Sequence, residues 1–214
     1  MLFDSVPGFL SSVVFIDSLT ILCRERSKTE THIERFLLNN SLVFPHLERL
    51  NQAHVRHGED FNILAAGVLY CPNKKLVVEM PVNLNYINVY ALDGSSQMTI
   101  CVGDELDDIE KIQDTDRMDR IYRFGGLQVF PDFWGVLHLN ESLKTYITNR
   151  EQLPEILLFD WDGKPLAQLK LNRFISTFDI DFTNGFLYTL DERTEEFCKY
   201  DIRDILKKIQ MNIN

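Results

Sequence analysis

The chain has 214 residues, 45% of them hydrophobic and 25% charged, with a formal net charge of −10. That balance excludes a disordered chain, and the length suffices to bury roughly 70% of the unfolded surface. The acidic excess argues against a sequence-independent grip on nucleic acid or anionic lipid, because both need a cationic face to release counterions.

Read from the start, Val13 to Cys23 (VVFIDSLTILC) has the outline of a lipoprotein leader ending in cysteine. Asp17 breaks its apolar run, Leu22 stands where a small residue is wanted, and no Lys or Arg precedes Arg24. The segment reads instead as the opening of a first module of strands, about 9–50, made of SSVVFID, SLTILCRER, THIERFLLNN and SLVFPHLERL. Arg24 and Arg26 form at most a small basic patch and read as charges that keep a strand edge from pairing. A polar connector, Asn51 to Asp60 (NQAHVRHGED), follows.

The second module, 61–102, is the clearest. Ile63 to Tyr70, Lys75 to Met80 and Tyr86 to Leu92 read as strands, and Asp93-Gly94 turns the chain into Gln97 to Val102. An acidic connector (GDELDDIEKIQDTDRMDR) comes next, where the spacing of Leu106, Ile109 and Ile112 predicts a short surface helix. Module three, 124–171, has strands at Leu127–Phe130, Trp134–Leu139, Ile156–Trp161 and Leu166–Leu171, with Gly125-Gly126 at a strand entrance. It carries an Asp162-Gly163 turn and an insertion, ESLKTYITNREQLP, between its second and third strands. Module four, 175–201, offers three strands, and Asp201 then caps an amphipathic tail, 202–210, with Ile202, Ile205, Leu206 and Ile209 on one face. The missing fourth strand is expected from Leu2 to Phe9, which would close an open edge.

Turns at Ile16-Asp17-Ser18, Pro72-Asn73-Lys74, Phe130-Pro131-Asp132 and Thr183-Asn184-Gly185 thus recur roughly every 50 to 60 residues. A period of that size built from strands predicts an all-β, β-propeller-like single domain over 1–214, with about four antiparallel blades visible and a short C-terminal helix. No apolar stretch approaches the roughly 20 residues that span a bilayer.

NILAAGVLYCPNKKLVV, NYINVYALDG, PEILLFDWDGKPLAQLKLN and DIDFTNGFLYTLDERTEEFCKYDI resemble the TolB-like six-bladed propeller proteins of Bacteroides and relatives. The resemblance covers about Phe61 to Ile202, and the chain looks like a shortened member. It implies a secreted lipoprotein of the cell envelope or periplasm if an upstream leader exists. The family carries no catalytic motif that matches residues here.

Candidate chemistry is sparse. His54-Val55-Arg56-His57 puts two imidazoles and a guanidinium on one connector, so His54, Arg56 and His57 are the candidate ligand-binding residues, weighed against a plain solvated loop. The acidic connector supplies Asp104, Asp107, Asp108, Asp114, Asp116 and Asp119, but counted from Asp114 the EF-hand positions for Gly and Glu hold Asp119 and Gly125. Cys23, Cys71, Cys101 and Cys198 have no CxxC spacing and read as small buried hydrophobes. No GxSxG elbow or phosphate loop occurs, so no catalytic residue, metal site or cofactor is assigned. The aromatics of modules three and four, among them Phe130, Trp134, Phe159, Trp161 and Phe178, are expected to fill the layers between blades, with a sugar-stacking rim as the functional alternative.

The sequence therefore predicts a non-enzymatic propeller that binds a small molecule, glycan or protein. Two alternatives stay open: a metal-dependent hydrolase or lactonase of the six-bladed type, and a fragment of a longer propeller lipoprotein.

Overall fold

The computed structural model describes residues 10–38 and 45–213. The chain divides into two compact units, with the boundary between Arg120 and Ile121, at the end of the acidic connector.

In the first unit, β1 (Leu10–Phe15), β2 (Ile21–Arg26) and β3 (Ile33–Leu38) form an antiparallel meander in chain order. Asp17 makes its first turn by accepting the backbone N–H groups of Leu19 and Thr20, both at 2.8 Å. The expected partner segment Leu2–Phe9 lies outside the described residues. The end of module one is a correction: Pro45–Leu50 is a helix, α1, rather than a further strand. Proline lacks the N–H that a strand ladder needs but suits the first turn of a helix, and Leu47 then faces the core.

A single turn of 3₁₀ helix at Phe61–Leu64, capped by the Asp60 side chain, leads into the second meander. Its strands are β4 (Ala66–Cys71), β5 (Leu76–Pro81), β6 (Tyr86–Ala91) and β7 (Gln97–Cys101). Gly94 adopts φ +75° in the β6–β7 turn, a left-handed conformation that favours glycine, while the Asp93 carboxylate accepts the Ser95 N–H. The acidic connector forms α2 (Ile109–Gln113), capped by Asp108.

Strand alternation decides what meets between these two sheets. Val14, Leu22 and Leu37 of the first sheet pack with Val77 and Tyr90 of the second and with Leu47 of α1. Each such burial removes an aliphatic or aromatic side chain from water and is worth roughly 1.5–3 kcal/mol. One rung further along the same faces, the apolar pattern stops. Arg24 stands opposite Arg35 in the first sheet, and Val68, Glu79, Asn88 and Thr99 stand in cross-strand line in the second.

The second unit holds β8 (Ile121–Val129), β9 (Phe133–Ser142), β10 (Glu155–Asp160) and β11 (Pro165–Lys170) in one meander. A three-stranded meander follows: β12 (Thr177–Asp181), β13 (Phe186–Asp191) and β14 (Glu196–Asp201). Gly125 and Gly126 lie inside β8, at a break in its register with β9, rather than at a strand entrance. A Cβ on Gly125 would meet Leu139 Cδ1 at 3.0 Å, which explains a glycine in mid-strand. The insertion is α3 (Leu143–Thr148), whose first turn Ser142 caps by accepting the Thr145 N–H.

Leu137, Leu139, Ile156 and Leu158 of the four-stranded sheet share one core with Phe178, Ile180 and Leu187 of the three-stranded sheet. The tail is α4 (Arg203–Ile213), and Ile202, Leu206 and Ile209 close that core, with Ile205 packed against it. Of the aromatics expected to fill layers, Phe130, Phe133, Trp134, Phe159, Trp161 and Phe178 are buried, whereas Phe174, Phe186 and Tyr188 are half-buried and Phe182 is exposed. Trp134 stacks on Phe159 with ring centres 4.6 Å apart.

Candidate ligand cleft in the first unit

Glu79 is the one charge in the strand LVVEMP, every residue of which is buried. It is only 1% exposed and receives two guanidinium groups. Arg35 donates Nε–H to Oε2 at 3.0 Å and Nη2–H to Oε1 at 2.5 Å, and Arg24 Nη2 stands 3.3 Å from Oε1. Tyr90 adds its hydroxyl to Oε2 at 3.3 Å. Burial alone would push this carboxyl up, but Arg35 and Arg24 outweigh it and hold the pKa at about 2. Arg24 also reaches the carbonyl oxygens of Leu64 and Ala66. Desolvation draws the Arg24 pKa down, against the pull of Glu79. Two buried guanidinium groups thus converge on the buried Glu79 carboxylate.

Above this cluster opens a cleft of about 290 Å³. Its polar wall is Arg35, Arg49, Glu79, Tyr86, Asn88, Thr99 and Asp107, and its apolar wall includes Ile33, Leu50, Leu64, Pro81 and Leu84. Arg49 of α1 crosses to β7, donating Nη2–H to Gln97 Oε1 at 2.9 Å. On the far side of that strut a second hollow of about 330 Å³ continues along β6 and β7, sharing Arg49, Leu50, Asn88 and Thr99 with the first.

Counting hydrogens shows what the wall leaves open. Of the five Arg35 N–H groups, two go to Glu79, one to the Ile33 carbonyl and one to Asn51 Oδ1, so one hydrogen on Nη2 has no acceptor among the described residues. Asn88, 8% exposed, accepts the Thr99 hydroxyl at 2.8 Å through Oδ1, while its Nδ2 donates to no described residue. The Tyr86 hydroxyl likewise donates to no described residue. Burial, with the Glu79 charge near it, pushes Tyr86 up to about 12, so it remains a donor at neutral pH. The Glu79 oxygens, by contrast, are already filled. The wall thus offers donors from Arg35, Asn88 and Tyr86 beside the acceptor oxygens of Tyr86, Thr99 and Asp107.

The sequence-predicted residues lie on the strap that follows α1. His54 is exposed and directs Nδ1 to the Gln52 carbonyl at 2.9 Å; its backbone bridges His32. His57 directs Nδ1 to the Thr29 carbonyl at 3.2 Å. A ring nitrogen facing a carbonyl donates to it, so the two rings turn their Nδ1–H groups to different stretches of backbone. Arg56 pairs with Asp114 and Glu59, and its N–H meets Gln113 Oε1 at 2.9 Å. The strap is thereby tied to α2.

The acidic connector is used in the same manner. Asp107 and Asn85 clamp each other through reciprocal backbone-to-side-chain bonds of 2.8 Å, Asp108 caps α2, and Asp116 accepts the Met118 N–H. Among the described residues, no three His, Cys, Asp or Glu side chains are grouped to hold a metal ion. None of the four cysteines is in a disulfide; Cys23 and Cys71 are buried, Cys101 and Cys198 half-buried.

Arg24 corrects the sequence reading. It is 2% exposed on the central strand of its sheet, not on a guarded edge, and only Arg26 points outward, to Glu30. Arg35, Glu79, Tyr86 and Asn88 were not singled out from sequence. The available signal was a lone Glu in LVVEMP and a lone Arg at an inward position of ILCRER.

No family model and no curated protein matches the chain. Among solved structures it is similar to the crystal structure of a nidogen/laminin complex, at 14% identity over 90% of this chain and 60% of that one, with a TM-score of 0.49. It is also similar to a putative 6-phosphogluconolactonase from Bacteroides fragilis, at 10% identity over 90% of this chain and 50% of that one, with a TM-score of 0.50. The likeness to the second structure is one of fold alone. The four antiparallel meanders and terminal helix are β-propeller-like. The chain spans 60% and 50% of the length of the two structures. No described helix is long and apolar enough to cross a membrane.

Proposed function

We propose that this chain is the propeller portion of a non-enzymatic binding protein that takes a small ligand in the cleft between its first two sheets. One observation carries the reading: two polar side chains more than nine-tenths buried, Arg35 and Asn88, line an open cleft with donor hydrogens that no described residue accepts. These donors open onto the cleft, where the acceptors of a bound molecule can take the place of water. At about 290 Å³ the cleft is at the small end of ligand sites. The resemblance to TolB-like propellers is consistent with a binding role for such a scaffold, since propellers place unrelated functions on one architecture.

The test is a thermal-shift screen of the purified chain against neutral sugars, organic acids and short peptides, repeated on Ala53→Trp. Ala53 lines the cleft, and an indole there fills it. Stabilising compounds should lose their effect in the variant. Compounds that stabilise both proteins equally, or a lactone hydrolysis that a chelator abolishes, would overturn the reading.

A further inference from the structure

Resting on the binding reading above, we infer that the ligand is a disaccharide that lies across both hollows and displaces the Arg49–Gln97 strut between them. The two hollows, of about 290 and 330 Å³, are lined in common by Arg49, Leu50, Asn88 and Thr99, so they are two parts of one groove. Strand β6 runs along it, giving Tyr86 and Asn88 to the first hollow and Asn88 and Tyr90 to the second. Alternate residues of a strand share a face, so the row from Tyr86 to Tyr90 extends over four steps of about 3.4 Å, or about 14 Å in all. One sugar ring occupies an end of such a groove, and two linked rings occupy its length. What divides the groove is a single exposed hydrogen bond, Arg49 Nη2–H to Gln97 Oε1. Both side chains are long and lie at the surface, and a ligand hydroxyl can replace either partner.

The chemistry of the walls selects the class. Asn88 keeps its Nδ2 amide for the groove while Oδ1 accepts the Thr99 hydroxyl, and Arg35 keeps one Nη2–H. The Tyr86 hydroxyl can give and accept, and the Thr99 oxygen can accept. Past the strut, Gln97 adds an amide whose Nδ-equivalent, Nε2, donates to no described residue. Donors and acceptors are therefore mixed along one side. A sugar hydroxyl serves both, giving its hydrogen to one neighbour and accepting from the next. The other side is aliphatic, with Ile33, Leu64, Pro81 and Leu84 at the first hollow, Val89 and Met98 at the second, and Leu50 common to both. A pyranose has the same two aspects, hydroxyls around its rim and C–H groups on its faces, so its rim meets the polar wall and a face rests on the apolar one.

The experiment uses the full chain, labelled with ¹⁵N, and titrates glucose, the disaccharides cellobiose, lactose and maltose, and two probes of other chemistry, triglycine and benzoate. Amide shifts report both affinity and location. At least one disaccharide should move amides at both ends of the groove, near Tyr86 and near Tyr90 and Met98. It should bind about tenfold tighter than glucose, triglycine or benzoate, the equivalent of one further hydrogen bond. Two variants check the span from opposite ends. Ala53→Trp fills the first hollow and Gln97→Trp the second, and each should weaken that disaccharide about tenfold. Neither position is buried, and an unchanged amide pattern away from the groove shows that each variant folds. If Gln97→Trp leaves the affinity as it was, the ligand sits in one hollow and the two-ring assignment is overturned. A disaccharide that binds no tighter than glucose or triglycine, or only at other surfaces, overturns it as well. Groove shifts from triglycine or benzoate and from no disaccharide overturn the saccharide assignment and keep the binding reading. Groove shifts from none of the probes at ~10 mM, a weak-binding ceiling, overturn both.

Discussion

Glu79→Gln removes the charge on which two buried guanidinium groups depend while keeping the side-chain shape. Glu79, Arg24 and Arg35 are 1%, 2% and 7% exposed, so the arginines cannot turn to water without opening the interface. Breaking a buried pair in this way costs about 3–5 kcal/mol, since the uncompensated charge remains inside. The pH dependence gives an independent figure. The Glu79 carboxyl falls from 4.5 to about 2 on folding, a difference worth on the order of 3 kcal/mol. Its folded pKa is depressed, so the contribution is complete above pH 4.5 and is lost as pH falls through about 2. The gap between wild type and Glu79→Gln should therefore be constant near neutrality and shrink across that window. Trp134 and Trp161 both lie in the second unit, so their fluorescence serves as the control. Amide hydrogen exchange in β5 and β6, over a urea series, reads the first unit. A variant within about 1 kcal/mol of wild type at pH 7, too small for a desolvated charge, or a gap that ignores acid, would refute the account.

Three further outcomes follow from the second unit. Gly135→Ala places a Cβ 2.5 Å from Leu158 Cδ2 and 3.4 Å from Phe178 Cζ in a filled core; it should cost about 1–3 kcal/mol, read as a fall in the urea midpoint by tryptophan fluorescence. Arg150→Gln breaks a two-bond fork to Asp191, 2.7 and 2.8 Å, that ties the α3 insertion to β13, and should cost about 3 kcal/mol with faster proteolysis across residues 143–154. Arg150 holds the Asp191 carboxyl well below its usual 3.8, so this difference should persist at pH 4 and fade only in stronger acid. Ser142→Ala removes the α3 cap and should cost about 1 kcal/mol, visible as a smaller fall in the same midpoint.

The meanders were legible because strand alternation and turn chemistry are local. Asp93-Gly94 and Asp162-Gly163 mark their turns in any context, and Ile202, Leu206 and Ile209 announce the face of α4 that joins the core. Pro45 was the local signal for α1, outweighed by the expectation of a fourth strand. The cleft was not legible, because it is made by register between sheets. Arg35 and Glu79 lie 44 residues apart in sequence, and nothing near either one states which rung of the neighbouring sheet it will face. His54 and His57 show the complementary case: they are near each other in sequence, yet their Nδ1 atoms face different carbonyls, those of Gln52 and Thr29.

The placement of the polar rung is itself the argument for use. On the same two faces, Val14, Leu22, Leu37 and Val77 close an apolar contact with the Tyr90 ring. One rung away, a buried charge cluster stands where apolar residues of like volume would be neutral or more stable. A cluster kept for stability would use every hydrogen it buries. Here Glu79 is saturated, while Arg35, Asn88 and Tyr86 keep donors turned to a cleft that Arg49 and Gln97 bridge. Donors that open onto a cleft stay available to an incoming acceptor, so a molecule seated there would gain bonds that the fold itself does not use.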